Sequence, residues 1–341
     1  MSRFRGQDDS IHQKTRNQES VTGVLLTNLG TPDAPDTPSL RRYLREFLSD
    51  PRVVEIPRLI WLMILHGIIL RVRPAKSAKL YKSIWTEQGS PLLVITEEQK
   101  EKVERELKAR YGDRVVVDIG MRYGNPSIGA ALERFHQQGI KKIVVMPLYP
   151  QYAGPTTGSS FDAVVKTVQK WRWIPSIDFI SSYHDNQDYI QALANSVQEH
   201  FDAHGKPDKL VLSYHGMPKL FLDNGDPYYC FCHKTTRLLA EKLGLAEDQF
   251  VMTFQSRFGK AEWLKPYTDA TLEQLAKDGV KNIAIISPAF SADCLETIEE
   301  LEEENREVFL EAGGETYTYI PCLNDRDDHI AMIVNELDQH L

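Results

Sequence analysis

The chain has 341 residues, 42% of them hydrophobic, which is enough for two domains with proper cores. A formal net charge of −8 argues against nucleic acid as the main partner, and no Lys/Arg-rich run interleaved with aromatics occurs. Residues 1–20 are polar and mixed in charge, with no apolar run. They read as a disordered leader rather than a secretory signal, which predicts a cytoplasmic protein.

In chain order, strand-like runs fall at 21–26, 115–119, 142–148 and 177–182, and again at 209–213, 250–254, 282–287 and 316–320. They are short and rich in Val and Ile without clean alternation, the pattern of parallel strands covered on both faces. Helical patterns lie between them at 96–111, 127–138, 189–204, 234–243, 270–277 and 296–311. This alternation predicts an α/β fold: two Rossmann-like units, each a parallel four-stranded sheet flanked by helices.

The two units read as copies of one another. Gly139-Ile140-Lys141-Lys142-Ile143-Val144-Val145 resembles Gly279-Val280-Lys281-Asn282-Ile283-Ala284-Ile285. Arg122-Tyr123-Gly124 resembles Arg257-Phe258-Gly259, and Leu29-Gly30-Thr31-Pro32 resembles His215-Gly216-Met217-Pro218. Segments recurring in one order predict an internal duplication, since solenoid repeats have periods of about 20–50 residues. The expected division is 21–205 for the first domain and 206–341 for the second, with the C-terminal helix expected to pack back on the first.

From Leu59 to Leu70 the chain is apolar all round a helix, but too short to span a bilayer, which needs about 20 residues. A buried helix is one reading; an apolar lip on a large pocket, or a membrane-touching surface, is the other. Cys230, Cys232, Cys294 and Cys322 are the only cysteines. Without a signal peptide they read as free thiols rather than disulfides. Cys230-Phe231-Cys232 is too narrow a spacing to make an iron–sulfur cluster the favoured reading.

Candidate chemistry gathers at strand ends, where open α/β sheets hold their ligands. His215 follows the 209–213 strand, just before a turn at Gly216 and Pro218; a neutral imidazole can take a proton or ligate a metal. Asp293, Glu296 and Glu300 are spaced to lie along one helix face, where carboxylates repel one another and can hold a cation or relay protons. A solvated acidic helix start is the plainer reading, and it suits Glu302, Glu303 and Glu304. In the first copy, Arg122 is either a carboxylate anchor or a structural ion pair. Tyr123, the loop from Tyr149 to Ser160, and Gln255, Ser256 and Trp263 suggest a large, flat, partly aromatic ligand. Neither G-x-G-x-x-G nor G-x-x-x-x-G-K-[ST] follows a strand, which disfavours dinucleotides and nucleotides.

These motifs carry a resemblance. Leu26-Thr27-Asn28-Leu29-Gly30-Thr31-Pro32, Leu212-Ser213-Tyr214-His215-Gly216-Met217-Pro218, Phe254-Gln255-Ser256-Arg257-Phe258-Gly259 and Ala289-Phe290-Ser291-Ala292-Asp293-Cys294-Leu295-Glu296-Thr297 are similar to those of the ferrochelatases, over about residues 21–337. The resemblance implies a chelatase-like fold and a lyase that inserts Fe²⁺ into protoporphyrin IX, with release of two protons, to give protohaem. Coproporphyrin ferrochelatase or a cobalt-inserting tetrapyrrole chelatase are its alternatives; a two-lobed binding protein is the non-enzymatic one. It implies His215 and Glu296 as catalytic residues and metal ligands, with Glu300 and Asp293 supporting them. It places Arg122, Tyr123, Leu29, Gln255, Ser256 and Trp263 around the porphyrin, and the 59–70 segment at an apolar lip. Iron is a substrate, and no cofactor is required. Transient membrane contact through the lip and handover partners in haem synthesis are the implied associations. Many members have a second histidine where this chain has Cys294.

Overall fold

The structure is a computed structural model that describes residues 21–259 and 261–341; the expected leader at 1–20 lies outside the described residues. The chain begins with β1 (Thr22–Thr31), α1 (Thr37–Leu48), α2 (Arg58–Ile64), α3 (Leu70–Ile84), α4 (Pro91–Tyr111) and β2 (Val115–Gly124). It continues through α5 (Ile128–Gln137), β3 (Lys142–Pro147), α6 (Ser159–Val168), β4 (Ser176–Phe179) and α7 (Gln187–His204). The second copy runs β5 (Lys209–His215), α8 (Lys219–Asp223), α9 (Tyr228–Leu243), β6 (Phe250–Gln255), α10 (Thr268–Lys277) and β7 (Asn282–Ile286). It ends with α11 (Leu295–Thr297), α12 (Asn305–Glu311), β8 (Thr316–Ile320) and α13 (Asp327–Asp338).

The strands form two all-parallel sheets of identical order, β2-β1-β3-β4 and β6-β5-β7-β8. Each has its crossover reversal beside its first strand, so the carboxyl ends of β1 and β5 lie at the switch points where such sheets bind ligands. Val24, Leu25 and Leu26 of β1 are wholly buried because helices cover both sheet faces. Each such side chain contributes about 1.5–3 kcal/mol by leaving water.

β1 and β2 run past the expected ends at Leu26 and Ile119, and stay in register as far as Thr31 beside Gly124. Asn28, in the added length, is satisfied inside: its Nδ2 donates to Thr96 Oγ1 at 3.3 Å. Gly30 permits the extension. Its φ is +102°, and a Cβ there would lie 1.8 Å from the Tyr123 carbonyl oxygen. The expected helix at 296–311 is also broken: a π-helical stretch, Ile298–Glu304, separates α11 from α12.

The two copies exchange helices. α7, from the first, packs on α9 and β8 of the second; α13, the chain's last helix, packs on α4 of the first and on α7. One apolar core therefore runs from Val24 and Val117 through Leu193 and Ile333 to Leu212 and Phe254. The 59–70 segment is part buried and part exposed. Trp61, Leu65 and Leu70 enter a separate core with Leu40, Leu44 and Tyr81. Leu59, Ile60, Met63 and Ile68 face outward, Leu59 at 81% exposure. Among the described residues no helix is long and apolar enough to cross a membrane.

Candidate active site between the two sheets

A cleft of about 160 Å³ opens at the carboxyl ends of β1 and β5. Leu29 lines it from the first copy, and His215, Trp263 and Glu296 line it from the second. Its surface is mostly apolar, with Phe47, Leu92, Leu148, Phe221 and Phe290 prominent. Four polar atoms of cleft residues are buried and have no hydrogen-bond partner among the described residues: Tyr149 Oη, Gln151 Oε1, Trp263 Nε1 and Ser291 Oγ. Buried polar atoms are rarely left so; eight more among the described residues lie outside the cleft.

His215 is the last residue of β5. Its Nδ1 lies 2.7 Å from the Gly216 carbonyl, which can only accept. In the neutral ring the proton therefore sits on Nδ1 and Nε2 keeps its lone pair. The turn that follows needs glycine: a Cβ on Gly216 would meet the Gln255 carbonyl oxygen at 2.5 Å and the Trp263 ring at 3.1 Å. Gly216 N donates to that same carbonyl at 2.8 Å, which closes the loop against β6.

Gln255 stands beside His215 in the sheet register. Its Oε1 accepts from Ser213 Oγ at 2.8 Å, and its Nε2 donates to the Glu296 carbonyl at 2.7 Å and to Glu300 Oε2 at 3.3 Å. Ser256, with φ of +63°, turns its backbone N–H to Glu300 Oε1 at 2.6 Å. Burial raises the Glu300 pKa, an effect that the Ser256 hydrogen bonds and the nearby His215 oppose. Glu296 and Glu300 are four residues apart, one on α11 and one on the π-helical stretch that follows it.

Four expected site residues lie elsewhere. Gln255 and Ser256 do not line the cleft; they stand behind it and hold the acidic helix. Arg122 is turned away from the cleft by an ion pair with Asp50, and by Ser159, whose carbonyl it reaches at 2.9 Å. Tyr123 is wholly buried beneath that guanidinium and donates to Asp50 Oδ2 at 2.9 Å.

Asp293 is a fifth case, and the single helix face expected for Asp293, Glu296 and Glu300 does not form. Asp293 precedes the helix and its carboxylate is used up inside the protein. It accepts from Tyr319 Oη at 2.5 Å, Thr297 Oγ1 at 3.0 Å and Asn324 Nδ2 at 2.7 Å.

Arg73 does not line the cleft but stands near it, at a place that the sequence does not single out. It is exposed overall, yet its guanidinium lies 5.4 Å from the centroid of Phe258, a cleft residue. Partial desolvation lowers its pKa, and the charge of Glu296 opposes that shift. It lies in a basic stretch, Arg71-Val72-Arg73, where nothing local singles it out.

No three His, Cys, Asp or Glu side chains form a ready metal cage among the described residues. Cys230 is exposed and Cys232 buried on one helix, pointing to different sides, and Cys294 and Cys322 belong to another region. Such a set does not fit an iron–sulfur cluster.

The ferrochelatase profile matches residues 21–341. The chain belongs to the ferrochelatase family. It is 62% identical to "Ferrochelatase 2" of Shewanella oneidensis, over 94% of this chain and 97% of that one. It is 56% identical to the ferrochelatase of Marinobacter nauticus, over 98% and 90% of the two chains. Among solved structures it is similar to SirB from Bacillus subtilis with Fe³⁺, at a TM-score of 0.56 and 12% identity, covering 94% and 95% of the two chains. It is also similar to CbiX, the terminal enzyme for siroheme biosynthesis in denitrifying bacteria, at 0.50 and 12%, covering 94% and 99%. These two likenesses concern the chelatase-like fold. As a ferrochelatase the chain is a lyase that inserts iron into a porphyrin for haem synthesis.

Proposed function

We propose that the porphyrin is protoporphyrin IX and that His215 and Glu296 carry the reaction from one face of the ring. The observation that supports this most is His215 itself, a cleft residue whose Nδ1 is tied to a carbonyl and whose Nε2 is left with a free lone pair. Fe²⁺ replaces two pyrrole protons, so the site must accept two protons and present one dication. One of Nε2 and the Glu296 carboxylate holds iron while the other takes the two pyrrole protons in turn, passing on the first before it accepts the second. Glu300, behind Glu296 and with a raised pKa, is suited to pass protons outward.

The apolar walls favour a ring with vinyl edges and few carboxylates. Arg73 at the rim is the anchor for a propionate, the role that the sequence suggested for Arg122. A cleft of 160 Å³ is below the roughly 300–1,000 Å³ of typical ligand pockets, so the substrate spreads the walls as it enters. Walls that close back on a bent ring favour the reacting geometry over the planar one.

Exposed Leu59, Met63 and Ile68 form an apolar lip suited to brief contact with a membrane or a porphyrin-handing partner of a cytoplasmic enzyme. Purified protein is to be given Fe²⁺ with protoporphyrin IX or coproporphyrin III. Protohaem by mass, with no product from His215→Ala despite retained porphyrin binding, is the expected result. Preference for coproporphyrin, or near wild-type metallation by the variant, overturns the reading.

A further inference from the structure

A second concavity, of about 790 Å³, meets the cleft at Thr31, which lines both. It is lined by five cationic side chains, Arg42, Arg45, Arg58, Arg122 and Lys166, against three carboxylates, Asp33, Glu46 and Asp50. The excess is positive in a chain whose formal charge is −8.

All three carboxylates are engaged within the protein. Asp33 accepts from Arg42 at 3.1 Å and from Asn125 at 2.8 Å. Glu46 accepts from the Gly124 N–H at 3.0 Å. Asp50 is buried under Arg122 and Tyr123 and also accepts from the Arg52 N–H at 2.8 Å. The side chains of Arg45, Arg58 and Lys166, in contrast, have no ion pair or hydrogen bond among the described residues. They come from three separate elements, α1, α2 and α6, and line the same groove.

Isolated surface cations are ordinarily just solvated. Three without protein partners in one concavity, whose acids already have donors, focus a positive potential where an anion can enter. We infer that this groove is a binding site for a phosphate-type anion, held by the guanidinium forks of Arg45 and Arg58 and the ammonium of Lys166. The same chemistry is offered by free phosphate and by the phosphate of an anionic lipid. The inference does not depend on the roles proposed for His215 and Glu296.

The test uses the whole protein with two probes at constant ionic strength in chloride. One arm titrates inorganic phosphate by calorimetry. The other floats the protein with phosphatidylglycerol or phosphatidylcholine vesicles. Binding of phosphate, weakened about tenfold or more in Arg45→Gln/Arg58→Gln/Lys166→Gln, supports the site with free phosphate as its ligand. Selective binding to phosphatidylglycerol that the same variant loses supports it with lipid as the source. Binding of neither probe, or binding that the variant leaves unchanged, overturns it. Each single variant is run beside the triple one, with melting temperature measured without ligand, so that a folding defect is told apart from a lost site. Iron insertion by the single variants in phosphate-free buffer is expected at the wild-type rate.

Discussion

Gln255 Nε2 holds the backbone carbonyl of Glu296 at 2.7 Å, and Gln255 is itself the sheet neighbour of His215. One amide therefore joins the strand end that presents the imidazole to the helix that presents the carboxylate. Gln255→Leu keeps the volume and removes the donor. The expected result is a kcat lower by about 10–100-fold with the porphyrin KM little changed. A large rise in KM with normal kcat would mean that Gln255 contacts substrate instead.

Asp293 and Glu296 are three residues apart and should fail in different ways. Asp293→Ala strands several buried donors and is expected to cost roughly 3 kcal/mol of stability. Glu296→Ala should leave stability within about 1 kcal/mol and abolish most turnover. Urea denaturation and single-turnover metallation of both variants separate the two effects.

Arg73 and Arg122 are a second contrasting pair. Arg122→Ala leaves Asp50, whose side chain is 3% exposed, without its cation, a change expected to cost about 3–5 kcal/mol. Arg73→Ala breaks no ion pair among the described residues. Its expected effect is a rise of about tenfold in porphyrin KM, or 1.4 kcal/mol, at unchanged melting temperature. Equal KM effects from both would return Arg122 to the substrate.

Much of this was legible in the chain, and the limits have physical causes. All eight strands were readable because parallel strands must be apolar on both faces. His215 stood out because motif and strand end coincide there, and Glu296 because it falls in the 289–297 motif; both, with Trp263, line the cleft. Arg122 was misplaced because a guanidinium suits a buried Asp50 as well as it suits a propionate, and Asp50 is 72 residues away in the chain. The π-helical stretch at 298–304 leaves no mark in a run of glutamates. Arg73 gains its place only when Phe258, from the other copy, folds over it.

Asp226 makes a further prediction. Its Oδ2 accepts from the Gly154 N–H at 2.7 Å, which ties the π turn of the first wall to the second copy. Pro155 and Thr156 in that turn line the cleft. Asp226→Ala should raise porphyrin KM several-fold and speed amide exchange at 154–158. Unchanged exchange in that turn would show that the tie is not what holds it.

His329 gives a pH dependence. It is wholly buried, and burial lowers its pKa from 6.5 to about 4, partly offset by its contact with the Asn324 carbonyl. The unfolded chain thus binds this proton more readily than the folded one. The contribution is complete above pH 6.5 and is lost as pH falls towards 4, by up to about 3 kcal/mol. His329→Asn keeps a donor for Asn324 and cannot ionise. The gap between pH 7 and pH 4.5 in unfolding free energy should narrow in the variant; a gap of unchanged size would assign the acid sensitivity to other groups.

The exchanged helices make the ancestral duplication impossible to undo. With α7 covering the second sheet and α13 lying against α4, severing the chain between 205 and 206 leaves each fragment lacking a helix that the other carries. The largest core, which the two copies share, cannot close in either fragment, so the two cleft walls are expected to melt together. Heat or denaturant is then expected to give one transition rather than a half-enzyme that binds porphyrin without metallating it.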